Sequence, residues 1–233
     1  MTPARPAGTL AVVVPMTSAG PEGPFIEGLP SLEVRWIFPG QLDTATAGWF
    51  SGTQPEVESR EDAYLLDPGM GGLSVKVRAG RALDVKMFLG SPGILELPGH
   101  ARGQLQYWRK WSFPFSPFSL AAVDPGGWSR VRKQRRVIWF SPAGERIARA
   151  PSAPAQAALQ ARCAVELTEL RLQHRGLPDQ EWWSLGLEAT GPAESLRHGL
   201  EATAALVLTR DLLDGVDLRI DDSRSYADWL RSC

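Results

Sequence analysis

Two cations stand at strand spacing in the stretch LSVKVRAGRALDVKMF, which runs from Leu73 to Phe88. Lys76 and Arg78 project from one face of an extended strand, because side chains two residues apart share a face, while Val75 and Val77 project from the other. Ammonium and guanidinium groups on one face suit the oxygens of a phosphate, which they bind through charge-assisted hydrogen bonds. Such a face contacts either bulk water or an anionic ligand, and these residues alone do not decide between the two.

The same alternation sorts charged residues of other segments onto one face, opposite an apolar face. The cations that we predict to share the charged face and to bind an anion are Arg35, Lys76, Arg78, Lys86, Lys133 and Arg135. The carboxylates predicted on that face are Glu33, Glu166 and Glu188. Solvated faces usually mix both signs of charge, so the excess of cations favours a phosphate-binding cavity over a solvated outer side.

Segments rich in β-branched and aromatic residues alternate with Gly, Pro and Asp turns, which is typical of antiparallel strands. The predicted strands are 31–38, 61–66, 73–79, 82–89, a broken strand within 94–113, 129–140, 163–172 and 181–190. The predicted helices are 40–50, 192–208 and 223–232. One apolar and one charged face per strand admit an open sheet or a closed barrel with a polar lumen. We predict an α+β fold: an antiparallel, closed or nearly closed barrel of about eight strands, with a few helices packed outside.

The order of these segments resembles the CYTH family, the triphosphate tunnel enzymes, over roughly residues 31–208. The resemblance is carried by Ser31, Glu33 and Arg35 for an opening Glu-x-Glu-x-Lys, Lys76, Arg78 and Lys86 for a basic hairpin, Lys133 and Arg135 for a Lys-x-Arg step, and the acidic strands VELTEL and LGLEA. It implies that the basic residues hold a triphosphate and that Glu33, Glu166 and Glu188 hold Mg²⁺ or Mn²⁺. Three positions depart from the family pattern: Ser31 replaces a glutamate, Arg35 a lysine, and Gly186 an acidic residue.

The expected function is binding of an anionic, (tri)phosphorylated small molecule in a cationic barrel lumen, with metal-dependent phosphoanhydride hydrolysis if the protein is an enzyme. The alternative is a non-catalytic CYTH-like binding or scaffold domain that has lost the metal site. A hard divalent cation needs several oxygen ligands, so each missing carboxylate favours this alternative.

Composition and charge restrict the kinds of partner and the cellular compartment that we expect. A net charge of -1 and a pI near 6.3 lack the basic footprint of a nucleic-acid binder, so no nucleic acid is expected as a partner. The apolar run Leu10–Pro15 is too short to span a membrane, and no membrane partner is expected. Two cysteines without metal or disulfide spacing indicate a reducing compartment, hence the cytoplasm. We predict a flexible leader over 1–28 and a single domain over 29–233.

The segment 106–118, QYWRKWSFPFSPF, crowds five tryptophan and phenylalanine residues beside Arg109 and Lys110. It is interpreted as an aromatic cover over one barrel end, as a stacking platform for a base, or as a contact for a protein partner through Trp108 and Trp111. The run RVRKQRR at 130–136 resembles a nucleic-acid patch, but a strand divides its charges between two faces, which favours a solvated outer stripe.

Overall fold

The computed structural model describes residues 28–67, 69–117, 120, 127–148, 160–173, 178–209 and 216–233. Except for Gly28, the predicted leader lies outside these ranges. The division into a leader and one domain therefore stays a prediction.

The described ranges hold eleven strands, three α-helices and a short 3-10 helix. The strands are β1 Leu29–Pro39, β2 Glu56–Leu65, β3 Leu73–Arg78, β4 Ala82–Gly90, β5 Ile94–Leu97, β6 Ala101–Gln104, β7 Gln106–Pro114, β8 Trp128–Phe140, β9 Arg146–Ile147, β10 Arg162–Gln173 and β11 Gln180–Thr190. The α-helices are α1 Thr44–Gly52, α2 Ala193–Leu208 and α3 Tyr226–Ser232, and the 3-10 helix is Ile220–Asp222.

Eight of the strands close into an antiparallel barrel, which confirms the predicted fold class. Each of these strands pairs with two neighbours in the order β1, β7, β4, β3, β2, β8, β10, β11 and back to β1. The strand β9 pairs with β8 beside the barrel, and β5 and β6 form a separate hairpin. None of the helices in the described ranges is both long and apolar enough to cross a lipid bilayer.

Local sequence explains the hairpin between β3 and β4, which carries part of the charged face. Ala79 and Gly80 both have positive φ, at 49° and 64°, and the Arg81 amide donates to the Arg78 carbonyl at 2.9 Å. Two successive positive φ angles define a type I′ turn, whose twist matches that of the flanking strands. The turn keeps Lys76 directly opposite Asp84 in the pairing.

The apolar face of the strands packs outward, under α2. Leu32, Val34 and Trp36 of β1 are at most 1% exposed and belong to one cluster with Leu196 and Leu200 of α2. Burial of such side chains contributes roughly 1.5–3 kcal/mol each. This cluster forces the opposite, charged side chains of β1 into the lumen, because neighbours along a strand alternate between faces.

The C-terminal helix closes one end of the barrel. Trp229 and Leu230 of α3 pack on luminal side chains at the strand ends, including Ile37 and Leu172, and Trp229 is fully buried. Ser225 caps the start of this helix, and its Oγ accepts a hydrogen bond from the Asp228 amide at 3.1 Å. Helix α2 thus lies outside as predicted, whereas α3 covers an opening.

Two strand boundaries differ from prediction for physical reasons. The strand β2 begins at Glu56 rather than at residue 61, because its exposed, charged first half pairs with β8 and needs no apolar residues. The broken strand predicted within 94–113 is three strands, since Leu97 and Ala101 flank a hairpin turn and a further strand starts at Gln106.

Candidate functional site

The barrel encloses a cavity of about 310 Å³. All nine residues predicted for the anion and metal sites line it: Arg35, Lys76, Arg78, Lys86, Lys133, Arg135, Glu33, Glu166 and Glu188. Strand alternation brings them together because no irregularity separates them from the regular part of their strands; the one register shift among the barrel pairings falls between Phe88 and Gly90 of β4, after Lys86. Whether these residues bind a ligand stays a prediction.

Several further charged residues share the lumen, although the predicted site did not include them. Glu58, Arg60 and Lys110 line the cavity, and Asp62 and Asp84 are buried against the lining cations. The alternation of Glu58, Arg60 and Asp62 is visible in EVESREDAYL, but the strand predicted there started too late to include it. The Tyr226 ring comes from α3, and no strand pattern could place it.

One half of the lumen carries an excess of positive charge around two aspartates. Asp62 lies 3.0 Å from Lys76, 3.2 Å from Arg60 and 3.7 Å from Lys133, measured between the closest charged atoms. Asp84 is shared in the same way. Its neighbours are Arg78 at 2.9 Å, Lys110 at 3.7 Å and Lys76 at 3.9 Å. Arg60 also pairs with Glu58, at 2.9 Å. Five cations therefore face three carboxylates, which leaves a surplus of two positive charges in this half of the lumen.

The other half of the lumen is nearly neutral. Glu166 accepts hydrogen bonds from Arg35 at 3.1 Å and from Arg135, which also pairs with Glu58. Lys86 lies between two further carboxylates and donates to Glu33 and, at 3.2 Å, to Glu188. Arg35, Lys86 and Arg135, predicted to hold the anion, are thus occupied by carboxylates of the barrel itself.

Arg35 and Gly186, two positions at which the sequence differs from the CYTH pattern, contact each other. The two residues are direct partners across β1 and β11, and a Cβ at position 186 would lie 2.9 Å from the Arg35 Cζ. The guanidinium also donates to the hydroxyls of Ser184 and Tyr226, at 3.3 and 3.1 Å. Arg35 therefore occupies the space that an acidic side chain at position 186 would need.

Burial sets the protonation behaviour of the positive half. Burial, opposed by Asp62 and reinforced by Arg60, lowers the pKa of Lys76 to about 8. Burial also holds the pKa of Lys133 well below its ordinary value, although Asp62 opposes this. For Asp62 burial acts to raise the pKa, but Lys76, Lys133 and Arg60 together outweigh it and hold the pKa well below the usual range. The aspartates are thus anions at neutral pH, and the lysines are the groups able to change charge.

The three predicted metal ligands do not fit a divalent ion in this arrangement. In the part of the chain that the structure describes, no three His, Cys, Asp or Glu side chains are grouped to hold a metal. The Lys86 ammonium stands between Glu33 and Glu188, and Glu166 is engaged by two arginines. Hard cations need several free oxygen ligands, which these carboxylates do not offer together. A role for Mg²⁺ or Mn²⁺ stays a prediction.

The other sequence candidates lie apart from the lumen. His100 and His198 are exposed, on a turn and on α2, and His174 lies outside the described residues. Cys163 is buried in the outer apolar cluster, and burial raises the pKa of its thiol to about 12, which makes it a poor nucleophile. Arg132 points outward with a side chain 57% exposed, as expected for an outer stripe.

The aromatic segment is divided between the two faces of β7. Trp108 lines the cavity, is 4% exposed, and lies against Phe88 with ring centroids 5.3 Å apart. Trp111 projects to the outside, where Gly28 lies against its ring. The two tryptophans therefore do not form one continuous surface.

A wider groove of about 780 Å³ lies on the outer face of the barrel, near Ser59, Arg132 and Glu181. Its charges pair with one another at the surface, as Arg132 does with Glu61 at 3.0 Å. Exposed pairs of this kind contribute only about 0–1 kcal/mol. The lumen, where charges are buried and unbalanced, is therefore the stronger candidate site.

Comparison of the chain with family models gives no match, and comparison with curated proteins gives none either.

Proposed function

We propose that the protein binds a small phosphorylated anion in its barrel lumen, against the wall formed by Lys76, Arg78 and Lys110. The observation that carries this proposal is the surplus of two positive charges around Asp62, Asp84 and Glu58. Buried charge without a partner is costly, and an anionic ligand would supply the missing partner.

The size of the cavity favours a compact anion. Its volume of about 310 Å³ lies at the lower end of the range of ligand pockets, roughly 300–1,000 Å³. Phosphate, pyrophosphate and tripolyphosphate are small enough to suit it better than a nucleotide does. Lys110 is the cation best placed to meet the ligand, since its ammonium has only the 3.7 Å contact with Asp84 among the described residues.

The same features support a distant relation to the CYTH family without its metal chemistry. A closed eight-stranded barrel with a cationic lumen is what the resemblance implies, and the engaged glutamates favour the non-catalytic alternative over hydrolysis. A cytoplasmic location suits this function, because phosphorylated small molecules are present there and both cysteines are free thiols.

Thermal unfolding of the full chain with phosphate, pyrophosphate and tripolyphosphate tests the proposal, with EDTA, Mg²⁺ or Mn²⁺ present in parallel. We expect concentration-dependent stabilisation that persists in EDTA, because ligand binding to the folded state raises stability by mass action. Phosphate release is measured in the same samples and is expected to be absent. Metal-dependent release would instead support the hydrolase, and no stabilisation by any of these anions would refute anion binding.

A further inference from the structure

All four lysines of the chain line the lumen, although the chain has 25 lysines and arginines in total. They are Lys76, Lys86, Lys110 and Lys133. An arginine keeps its charge in any protein site, whereas a buried lysine readily becomes a neutral amine. All the other members of this group of 25 are arginines. Lysine is thus used only in the lumen, which points to a role for the amine itself.

Lys133 is the most deeply placed of the four, with a side chain 2% exposed. Its Nζ lies 2.6 Å from the Tyr64 hydroxyl oxygen and 3.7 Å from the Asp62 carboxylate. Lys76 and Arg60 hold closer contacts to the same carboxylate, at 3.0 and 3.2 Å. Three cations thus share the Asp62 carboxylate, and Lys133 is the farthest of them from it.

The groups around Lys133 decide its protonation state. Burial and the positive charges of Lys76 and Arg60 favour a neutral amine, while Asp62, the more distant Glu166 and the Tyr226 ring, 3.8 Å away, favour the ammonium. Because Arg60 cannot lose its proton and Lys76 is directly paired, the proton that costs most to keep is the one on Lys133. A neutral amine leaves four cations against three carboxylates in this half, so the lumen still carries a positive charge that attracts an anion.

We propose that Lys133 is a nucleophile that forms an imine with a phosphorylated aldehyde or ketone held in the lumen. The proposal rests on the proposed anion binding, since Lys76, Arg78 and Lys110 are to hold the phosphate group while the carbonyl carbon meets Nζ. A desolvated lysine beside other cations is a known way to obtain a reactive amine at neutral pH.

The step balances without an oxidant or a reductant. The Nζ lone pair forms a bond to the carbonyl carbon, and the π electrons of the carbonyl move to its oxygen to give a carbinolamine. That oxygen then leaves as water with the two hydrogens that the amine gives up, and a carbon–nitrogen double bond remains. The Tyr64 hydroxyl, hydrogen-bonded to Nζ, is positioned to pass protons between the nitrogen and the departing oxygen.

The experiment uses pyridoxal 5′-phosphate as the probe, with borohydride to reduce any imine to a stable amine, followed by peptide mapping by mass spectrometry. We expect labelling of Lys133, about tenfold less labelling with pyridoxal, which lacks the phosphate, and competition by tripolyphosphate. The variant Lys133→Arg has a side chain of similar length without a nucleophilic amine and is expected to lose the label. Arg132→Lys places a lysine on the outer face, where the side chain of residue 132 is 57% exposed, and is expected to keep the label on Lys133.

Mapping of the unaltered chain decides the question even if a variant fails to fold. Label on the amino terminus or on other lysines, with none on Lys133, overturns the imine proposal. Thermal unfolding in the same samples separates the two hypotheses. Stabilisation by tripolyphosphate without label on Lys133 refutes the imine alone, whereas absence of any stabilisation by tripolyphosphate or the probe refutes anion binding and the imine with it.

Discussion

The guanidinium of Arg35 lies over the backbone of Gly186, its direct partner across β1 and β11. The glycine is required by packing rather than by backbone conformation, since an added Cβ would lie 2.9–3.1 Å from the Arg35 Cζ, Nη1 and Nη2 atoms. Arg35 is held in place by Glu166, Ser184 and Tyr226. Its guanidinium therefore cannot move aside without lengthening those bonds.

The variant Gly186→Ala is expected to lower the free energy of unfolding by roughly 1–3 kcal/mol, the usual cost of overpacking a buried site. Chemical denaturation of Gly186→Ala, Arg35→Lys and the double variant measures the coupling. Since lysine lacks the guanidinium, alanine at 186 should cost less in the Arg35→Lys background. Additive costs would contradict the packing argument.

The variant Glu166→Gln should destabilise the protein and strengthen anion binding at once. Removing one partner of a buried pair costs roughly 3–5 kcal/mol. Here the change takes away the carboxylate that Arg35 and Arg135 share. Because a negative charge is removed, the same change makes the net charge of the lumen more positive by one. Denaturation and titration with tripolyphosphate measure the two effects. Glu169→Gln, in the same strand but with a side chain 42% exposed, is the control and should change both by little.

The variant Lys110→Ala should weaken tripolyphosphate binding by roughly 1.5–3 kcal/mol, as expected for a lost charge-assisted contact. It should barely affect stability, because the Lys110 ammonium has only the 3.7 Å contact with Asp84 among the described residues. Calorimetric titration measures the affinity. Arg132→Ala removes an outward-facing cation that is 57% exposed and should leave the affinity unchanged; equal losses in both variants would indicate attraction by net charge alone.

Anion binding should weaken as the pH rises through about 8, where Lys76 loses its proton. The pKa of Lys76 in the folded protein lies below its ordinary value of 10.5, so between these values the unfolded chain holds more protons. The contribution of Lys76 to stability without ligand therefore rises with pH across that window. Unfolding with and without sulfate, whose charge is constant there, separates the two trends. In Lys76→Arg the loss of sulfate binding with pH should be smaller, because arginine stays charged; an identical loss would exclude Lys76 as its cause.

Strand alternation was sufficient to predict which side chains enter the lumen but not how they pair. Glu33 and Arg35 could be placed on one face because β1 has no irregularity and its other face is apolar. Asp84 could be placed beside Lys86 in the same way. That Asp62 and Asp84 each gather three cations depends on contacts among β2, β3, β4, β7 and β8, which no single segment encodes.

The protonation state of Lys133 could not be predicted from the sequence for the same reason. Lys133 reads as an ordinary luminal cation until Tyr226 of the terminal helix and the shared Asp62 are placed beside it. Its desolvation is a property of the assembled barrel and of α3 covering one end. A pattern of two-residue steps carries no information about depth along the barrel axis.

Closure of the barrel between its first and last strands constrains how the chain reaches its native state. The strand β1, at Leu29–Pro39, is hydrogen-bonded to β7 and to β11 at Gln180–Thr190, so no contiguous early portion of the chain can satisfy both of its edges. Pairings across such long sequence separations are formed slowly, on the order of milliseconds to seconds in small β proteins. During synthesis one edge of β1 therefore stays unpaired until β11 has left the ribosome, and the ion pairs Arg35–Glu166 and Lys86–Glu188 cannot form before their glutamates have been synthesised.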